Sequence, residues 1–212
     1  ALSQSLDRTF PRRVIQNRSL PVPERLKEDL QELDDLRRKL MEAGILDTEQ
    51  DEVLPPSTQF DKALAALLSV YVEDTKRKLS SLSPILERIT LFRKLIEDRF
   101  QPKAISISRE LGFAVTRVGK AGRLDIPLEK LSSGEQHQLV LFFELLFQTK
   151  PGTLILIDEP ELSLHVSWQK KFIPDLLKII ELNKFDVLLA THSPQLIGWW
   201  DDIVVDLGEE VE

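Results

Sequence analysis

Leucines set the first rhythm of this chain. Leu26, Leu30, Leu33, Leu36 and Leu40 recur at steps of three and four, which puts them on one stripe of a helix. Gly44 follows as a left-handed stop. The stretch up to Pro23 holds Pro11, Pro21 and Pro23 and shows few helical repeats. Proline lacks an N–H and restricts its predecessor, so residues 1–23 read as a connector. After a polar loop with Pro55-Pro56 near its end, a second stripe runs through Phe60, Leu64, Leu67, Leu68, Tyr71, Leu79, Leu82, Ile85, Leu86, Ile89, Phe92, Leu95 and Ile96. Ser83-Pro84 interrupts it, either as a kink or as the N-cap and first turn of a new helix. The economical expectation is an antiparallel helical hairpin, a coiled-coil-like arm, over 24–100.

Beyond Phe100 the period shortens. Ala104–Ser108 and Gly112–Val118 read as strands, with Gly119 and Gly122 supplying a turn and Leu124–Leu128 a third short strand. A very apolar, buried helix is expected over 134–148. The run Thr153–Ile157 reads as a strand covered on both faces, and Val187–Ala190 as a second buried strand. A helix over 166–182 joins them, and Ile203–Leu207 reads as a last strand. From residue 150 onward this is the α/β pattern of a parallel sheet with covering helices, in a lobe spanning 101–212.

Composition narrows the class. The 212 residues are 42 % hydrophobic and 30 % charged, the profile of a soluble globular protein. There is no cysteine, which excludes a disulfide framework and a thiolate metal site. No apolar run approaches the roughly 18 residues that span a bilayer, and no signal-peptide pattern opens the chain, so the expected location is cytoplasmic and no membrane partner is expected. The net charge of −7 is uneven: residues 1–100 carry 17 basic against 18 acidic side chains, and residues 101–212 carry 11 against 17. That excludes a nucleic-acid binder of the general basic kind. Arg8, Arg12, Arg13 and Arg18 form the one obvious basic cluster and read as a solvated connector.

Three short segments carry candidate chemistry. Leu154-Ile155-Leu156-Ile157 ends in Asp158-Glu159-Pro160, and in open α/β sheets ligands gather at the carboxyl ends of strands. A carboxylate there can hold Mg²⁺, mostly through water, and the next can orient and deprotonate an attacking water. The second strand ends in Thr191-His192-Ser193-Pro194, where an imidazole can reach the same pocket and donate to a terminal phosphate. Leu131-Ser132-Ser133-Gly134-Glu135-Gln136 stands before the long helix. Exposed N–H groups and the positive end of the helix dipole favour an anion there, while Ser132 and Glu135 also fit a capping box.

Together these segments resemble the ABC-type ATPases: LSSGEQ the signature motif, LILIDEP the Walker B motif and ATHSP the switch-histidine region. They stand in the family's order, 26 residues from Ser132 to Asp158 and 34 from Asp158 to His192. Within the superfamily the chain is similar to the SMC/OLD-like group, including the ATPase subunits of Septu-type and retron-associated antiphage systems. The resemblance implies the C-terminal half of a P-loop NTPase head, with ATP and Mg²⁺ as cofactors. Asp158 would support Mg²⁺, Glu159 would be the general base and His192 would sense the γ-phosphate. Ser132, Ser133 and Gly134, in a signature continuing through Glu135 and Gln136, would face ATP held by the opposite subunit, making a homodimer around an ATP sandwich. His165 stands in the loosely matching D-loop segment ELSLH, where transporters often carry aspartate.

The string G-x-x-x-x-G-K-[S/T] does not occur; Gly119-Lys120-Ala121-Gly122-Arg123 has the wrong spacing. The phosphate cradle, its lysine and a Mg²⁺-ligating hydroxyl would therefore come from a missing N-terminal lobe with the Walker A motif, either an upstream part of the same chain, the favoured expectation, or a separate polypeptide. Ala1 and the connector read as the entry from that lobe. The chain alone is expected neither to bind ATP tightly nor to turn it over. The leading expectation is an ATP-hydrolysing switch controlling a partner effector, such as a nuclease, in antiphage defence or DNA maintenance. The alternative is a non-catalytic dimerisation or partner-binding module, and nucleic acid is an open partner.

Overall fold

The computed structural model describes residues 9–10, 25–46, 62–108, 112–119, 122–198 and 200–208. The arginine cluster and nearly all of the predicted connector lie outside them. The chain divides into two compact units, one of residues 1–89 with 107–112, the other of residues 90–106 with 113–212.

In the first unit, α1 (Leu26–Glu42) buries Leu26, Leu33 and Leu40, seven residues apart on the leucine stripe. It stops where the sequence placed a stop. Gly44 has φ +69°, its N–H reaches the Met41 carbonyl at 2.9 Å, and the Ile45 N–H reaches that of Leu40 at 2.9 Å. Helix α2 (Lys62–Ser80) packs on it through Ala65, Leu68 and Val72, which share a core with Leu26 and Leu33. The Lys76 amine bonds Asp29 at 2.8 Å and Glu32 at 2.7 Å, while Arg37 donates to the Tyr71 hydroxyl. Residues 29 and 32 thus meet 76 and residue 37 meets 71, so the two helices run in opposite directions. At residues 80–83 a new helix begins rather than a kink. Ser80 and Ser81 donate back to the Arg77 and Lys78 carbonyls, and Leu86 N–H bonds the Leu82 carbonyl at 3.0 Å. Ser83 is therefore the first residue inside α3 (Ser83–Phe100), not its cap.

The second unit is built on aromatic and apolar side chains from the end of α3. Phe92 lies 5.0 Å from Phe113 and 5.7 Å from Phe147 between ring centres, and Phe92, Leu95, Ile96 and Phe100 are buried. Strands β1 (Lys103–Ser108), β2 (Gly112–Gly119) and β3 (Gly122–Ile126) form a sheet in that order. Gly119 pairs with Gly122 at the tight antiparallel turn, so β3 starts two residues earlier than its apolar pattern suggested. Helix α4 (Ser133–Phe143) continues into a π-helical turn, Glu144–Gln148. Then β4 (Leu154–Asp158), α5 (Val166–Asn183) and β5 (Asp186–Ala190) make a strand–helix–strand unit whose strands pair in parallel, Leu154 with Asp186 through Asp158 with Ala190. Buried Asn183 donates to the Leu145 and Leu146 carbonyls at 2.7 and 2.9 Å, fastening the end of α5 to the widened turn after α4.

Two expectations fail here. The parallel strands are not covered on both faces: Leu154, Leu156 and Leu188 are 60, 70 and 64 % exposed, while Ile155, Ile157, Val187 and Leu189 are half-buried. An unbroken apolar run predicts two-sided burial only when elements on both sides are present, and among the described residues one side is bare. Nor is Ile203–Leu207 a strand. Asp201–Ile203 is a short 3-10 turn, and Val204, Val205 and Leu207 are exposed without regular structure. A strand needs a neighbour to take its backbone bonds, and no strand pairs with this one among the described residues. A four-residue helix, α6 (Pro194–Ile197), follows β5 instead.

Candidate functional site

The acidic and histidine segments meet at the tips of β4 and β5. Parallel pairing sets Asp158 beside Ala190, and the Glu159 N–H extends the ladder with a 2.9 Å bond to the Ala190 carbonyl. The chain then turns sharply. Glu159 has φ +47° and Ser163 has φ +67°, left-handed values that cost a non-glycine residue about 1 kcal/mol each. Buried Pro160 and the bonds Leu162 N–H to Glu159 carbonyl (3.1 Å) and Leu164 N–H to Glu161 carbonyl (2.9 Å) hold this turn in place. As a result the Glu159 carboxylate leaves the strand end beside the His192 ring, Oε1 to Nε2 3.5 Å. The imidazole is 93 % exposed, and Asp158 too is open to solvent. Geometry of this kind can present a carboxylate and an imidazole to one incoming group.

The signature-like segment is a helix start. Ser132 is the N-cap of α4: its hydroxyl accepts from Glu135 N–H, and Glu135 Oε2 accepts from Ser132 N–H at 2.8 Å, a full capping box. Glu135 is buried and also accepts from the Lys103 amine on β1, at 2.6 and 2.7 Å. Burial alone pushes its carboxyl up. The hydrogen bonds from Lys103 and from the Ser132 N–H and hydroxyl, with the Lys103 charge, outweigh burial and hold it below the ordinary 4.5. Ser132 and Ser133 are exposed, and Gln136 donates to the Leu128 carbonyl at 3.1 Å.

Gly134 joins the two halves of the site. A Cβ built there would lie 2.4 Å from the Ser163 carbonyl oxygen, so the first turn of α4 rests against the turn that follows β4. Gly134→Ala is expected to lower stability by about 1–3 kcal/mol in chemical denaturation, because backbone must move to admit the methyl group. Ser133→Ala, at an exposed position, stays within about 0.5 kcal/mol.

His165 is placed differently from the rest. It caps α5, its Nδ1 accepting from Ser167 N–H at 3.3 Å and lying 2.8 Å from the Ser167 hydroxyl. Thus Asp158, Glu159 and His192 are gathered at adjoining strand ends. Ser132 through Gln136 stand at a helix start that touches the same turn, and His165 serves its own helix. The sequence reading passed over Lys103, Glu161 and Gln169. Lys103 carries no local signal, since its partner lies 32 positions away in the chain. Glu161 lay in plain view, an acidic residue two places after Glu159, masked by its apolar neighbours.

The α/β lobe thus carries an acidic strand end, a histidine just past the end of the neighbouring strand and a capped helix start. The chain belongs to the family described as "AAA domain, putative AbiEii toxin, Type IV TA system", whose model matches residues 5–198. Among curated proteins it is similar to the UvrABC system protein A of Clostridium acetobutylicum, 28 % identical over 150 residues, and of Rickettsia typhi, 25 % over 149 residues. These matches cover 71 and 70 % of this chain and 13 % of each relative, so the chain spans about an eighth of their length. Among solved structures, one match is the Smc head domain with an extended coiled coil, bound to the C-terminal domain of ScpA, from Pyrococcus furiosus. There the TM-score is 0.38 and the identity 14 %, over 92 % of this chain and 49 % of that one. The family match and the curated relatives support an ABC/P-loop ATPase domain.

Proposed function

We propose that this chain is the signature-bearing, C-terminal half of an ABC-type ATPase head of the SMC/OLD-like group, and that two such heads pair around ATP. One observation carries the reading: Glu159 and His192 stand 3.5 Å apart at the tips of adjacent parallel strands, while Ser132 and Ser133 are exposed at a helix start. Glu159 takes a proton from a water held against the terminal phosphate. His192 donates to that phosphate, and the α4 start offers hydroxyls and N–H groups to the nucleotide of the opposite subunit. Reciprocal use of one surface gives a two-fold pair. Glu135 and Gln136 brace this helix start, and His165 stays at the subunit-facing turn.

The residues fit Mg²⁺ in one particular way. Among the described residues no group of three or more His, Cys, Asp or Glu side chains could hold a metal ion. A single open carboxylate, Asp158, suits a cation that keeps several waters and draws its other ligands from phosphates. The remaining contacts belong to a phosphate-binding loop, whose string does not occur in the sequence. The exposed Leu154, Leu156 and Leu188 support the same reading, since a lobe bearing that loop would have an apolar sheet face to cover.

The domain plan that goes with this is a connector over 1–23, a helical arm over 24–100 and the half-head over 101–212. The arm carries the state of the ATP sandwich to an effector, in antiphage defence or DNA maintenance. The family's description as a toxin–antitoxin type and the likeness to UvrABC system protein A support that setting. No helix among the described residues is long and apolar enough to cross a membrane.

The test is ATP hydrolysis by the pure 212-residue chain, alone and joined to a lobe carrying a phosphate-binding loop. Turnover is expected only in the joined protein. Hydrolysis by the chain alone, abolished by Glu159→Gln, overturns the half-head assignment.

A further inference from the structure

His192 raises a mechanical question. Its ring is 93 % exposed, with a 3.5 Å approach to Glu159 and no packing against a core. A side chain so open to water is aimed by its backbone. That backbone is held by Glu161, which is buried and accepts from the His192 N–H at 3.2 Å and from the Thr191 hydroxyl, all on Oε1.

The bonds around Glu161 close into a ring. The Thr191 oxygen accepts from Ser193 N–H at 3.0 Å, and the Ser193 hydroxyl donates to Gln169 Oε1 on α5 at 2.9 Å. Gln169 Nε2 donates to the Leu164 carbonyl at 3.2 Å, and Leu164 N–H returns to the Glu161 carbonyl at 2.9 Å. One circuit therefore ties the turn after β4, the start of α5 and the loop that bears His192. Glu159 opens that turn two residues before Glu161, so the same circuit fixes the carboxylate–imidazole distance from both sides. Such cooperative networks hold geometry more firmly than their separate bonds. Glu161 Oε2 is buried and has no hydrogen-bond partner among the described residues, a costly arrangement for a group whose only task was packing.

We propose that Glu161 is the positioning residue for His192: it sets the imidazole against Glu159 and against the phosphate the pair would face. The inference rests on the proposed role of His192 in ATP turnover, but its geometry can be tested without that role. The Glu161 carboxyl oxygen accepts two donors from consecutive residues, which fixes both the Thr191 side chain and the His192 backbone.

The chain contains three histidines, so the His192 ring signal can be followed by NMR against His137 and His165 as internal references. In the 212-residue chain, Glu161→Ala is expected to speed exchange of the His192 amide by about tenfold or more, because that N–H loses its acceptor. The His192 ring signal shifts while those of His137 and His165 stay in place. Glu161→Gln, which keeps an acceptor oxygen, restores most of the protection. If His137 and His165 also lose their native signals, the variant has not folded and Thr191→Val is read instead, with the same displacement of the His192 signal expected. An unchanged His192 amide and ring in folded Glu161→Ala, or an unchanged ring in Thr191→Val, overturns the proposal.

Turnover supplies the second arm, in the protein joined to a lobe with a phosphate-binding loop. Glu161→Ala lowers kcat about tenfold with less than about a threefold change in KM, and adding it to His192→Ala costs nothing more, since both act through one imidazole. Additive losses count against positioning. If His192→Ala leaves turnover intact, the phosphate-sensing role falls, while the exchange measurement still decides the role of Glu161.

Discussion

Replacing Glu159 by Gln in the joined protein is expected to lower ATP turnover by about 10²–10⁴-fold, the usual worth of a positioned general base. The amide keeps the shape of the side chain and can still meet His192 at the strand tips, but it cannot accept the proton from water. Binding of ATP and nucleotide-dependent pairing therefore persist, and the paired state lasts longer because its breakdown step is slowed. Single-turnover hydrolysis and light scattering with and without ATP separate the two. A variant that loses pairing along with turnover shows that Glu159 shapes the site rather than reacting in it. Asp158→Asn should instead raise the Mg²⁺ concentration needed for turnover, so the two neighbouring carboxylates can be told apart by which property each removes.

The largest stability effect is expected at Arg99. Its guanidinium, fully buried, meets the Asp175 carboxylate at 2.8 Å, bonds the Leu95 carbonyl at 3.0 Å and lies 5.0 Å above the Phe142 ring. One side chain thus links the end of α3 to α4, the helix that begins with the signature-like turn, and to α5. Arg99→Met leaves Asp175 buried, with partly exposed Lys178 as its remaining partner at 2.7 Å. Breaking a buried pair in this way costs about 3–5 kcal/mol, most of it the penalty of the stranded carboxylate. The double change Arg99→Met with Asp175→Leu should recover much of the loss, since nothing charged is then left behind. Chemical denaturation followed by tryptophan fluorescence measures both. A loss under about 1 kcal/mol for the single change means that the pair does not hold these helices together.

Much of this protein was readable from local pattern. The leucine stripe of α1 and its glycine stop are local facts, because helix period and left-handed φ are decided within a few residues. The same holds for the Ser132–Glu135 capping box and for the strand–helix–strand order after residue 150. Motif spacing singled out Asp158, Glu159 and His192, since strand ends in an α/β sheet collect function. What pattern missed was partnership across the chain. Lys103 with Glu135 and Arg99 with Asp175 are separated by 32 and 76 positions, and no periodicity encodes such pairings.

The sequence by itself determined most of the helices, the leucine stripe with its glycine stop and the strand–helix–strand order after residue 150, and it singled out the residues proposed here for a phosphate site. Hydrophobic period, glycine and proline placement and side-chain functional groups are properties of short stretches, and they do not wait for the fold. Tertiary structure alone decided that, among the described residues, one face of the β4–β5 sheet is bare and Ile203–Leu207 pairs with no strand, and that Gly134 touches the turn carrying Ser163. It also decided that Glu161 grips the backbone of His192. Burial, strand pairing and hydrogen-bond closure depend on what lies alongside in space, and a linear pattern does not contain that information.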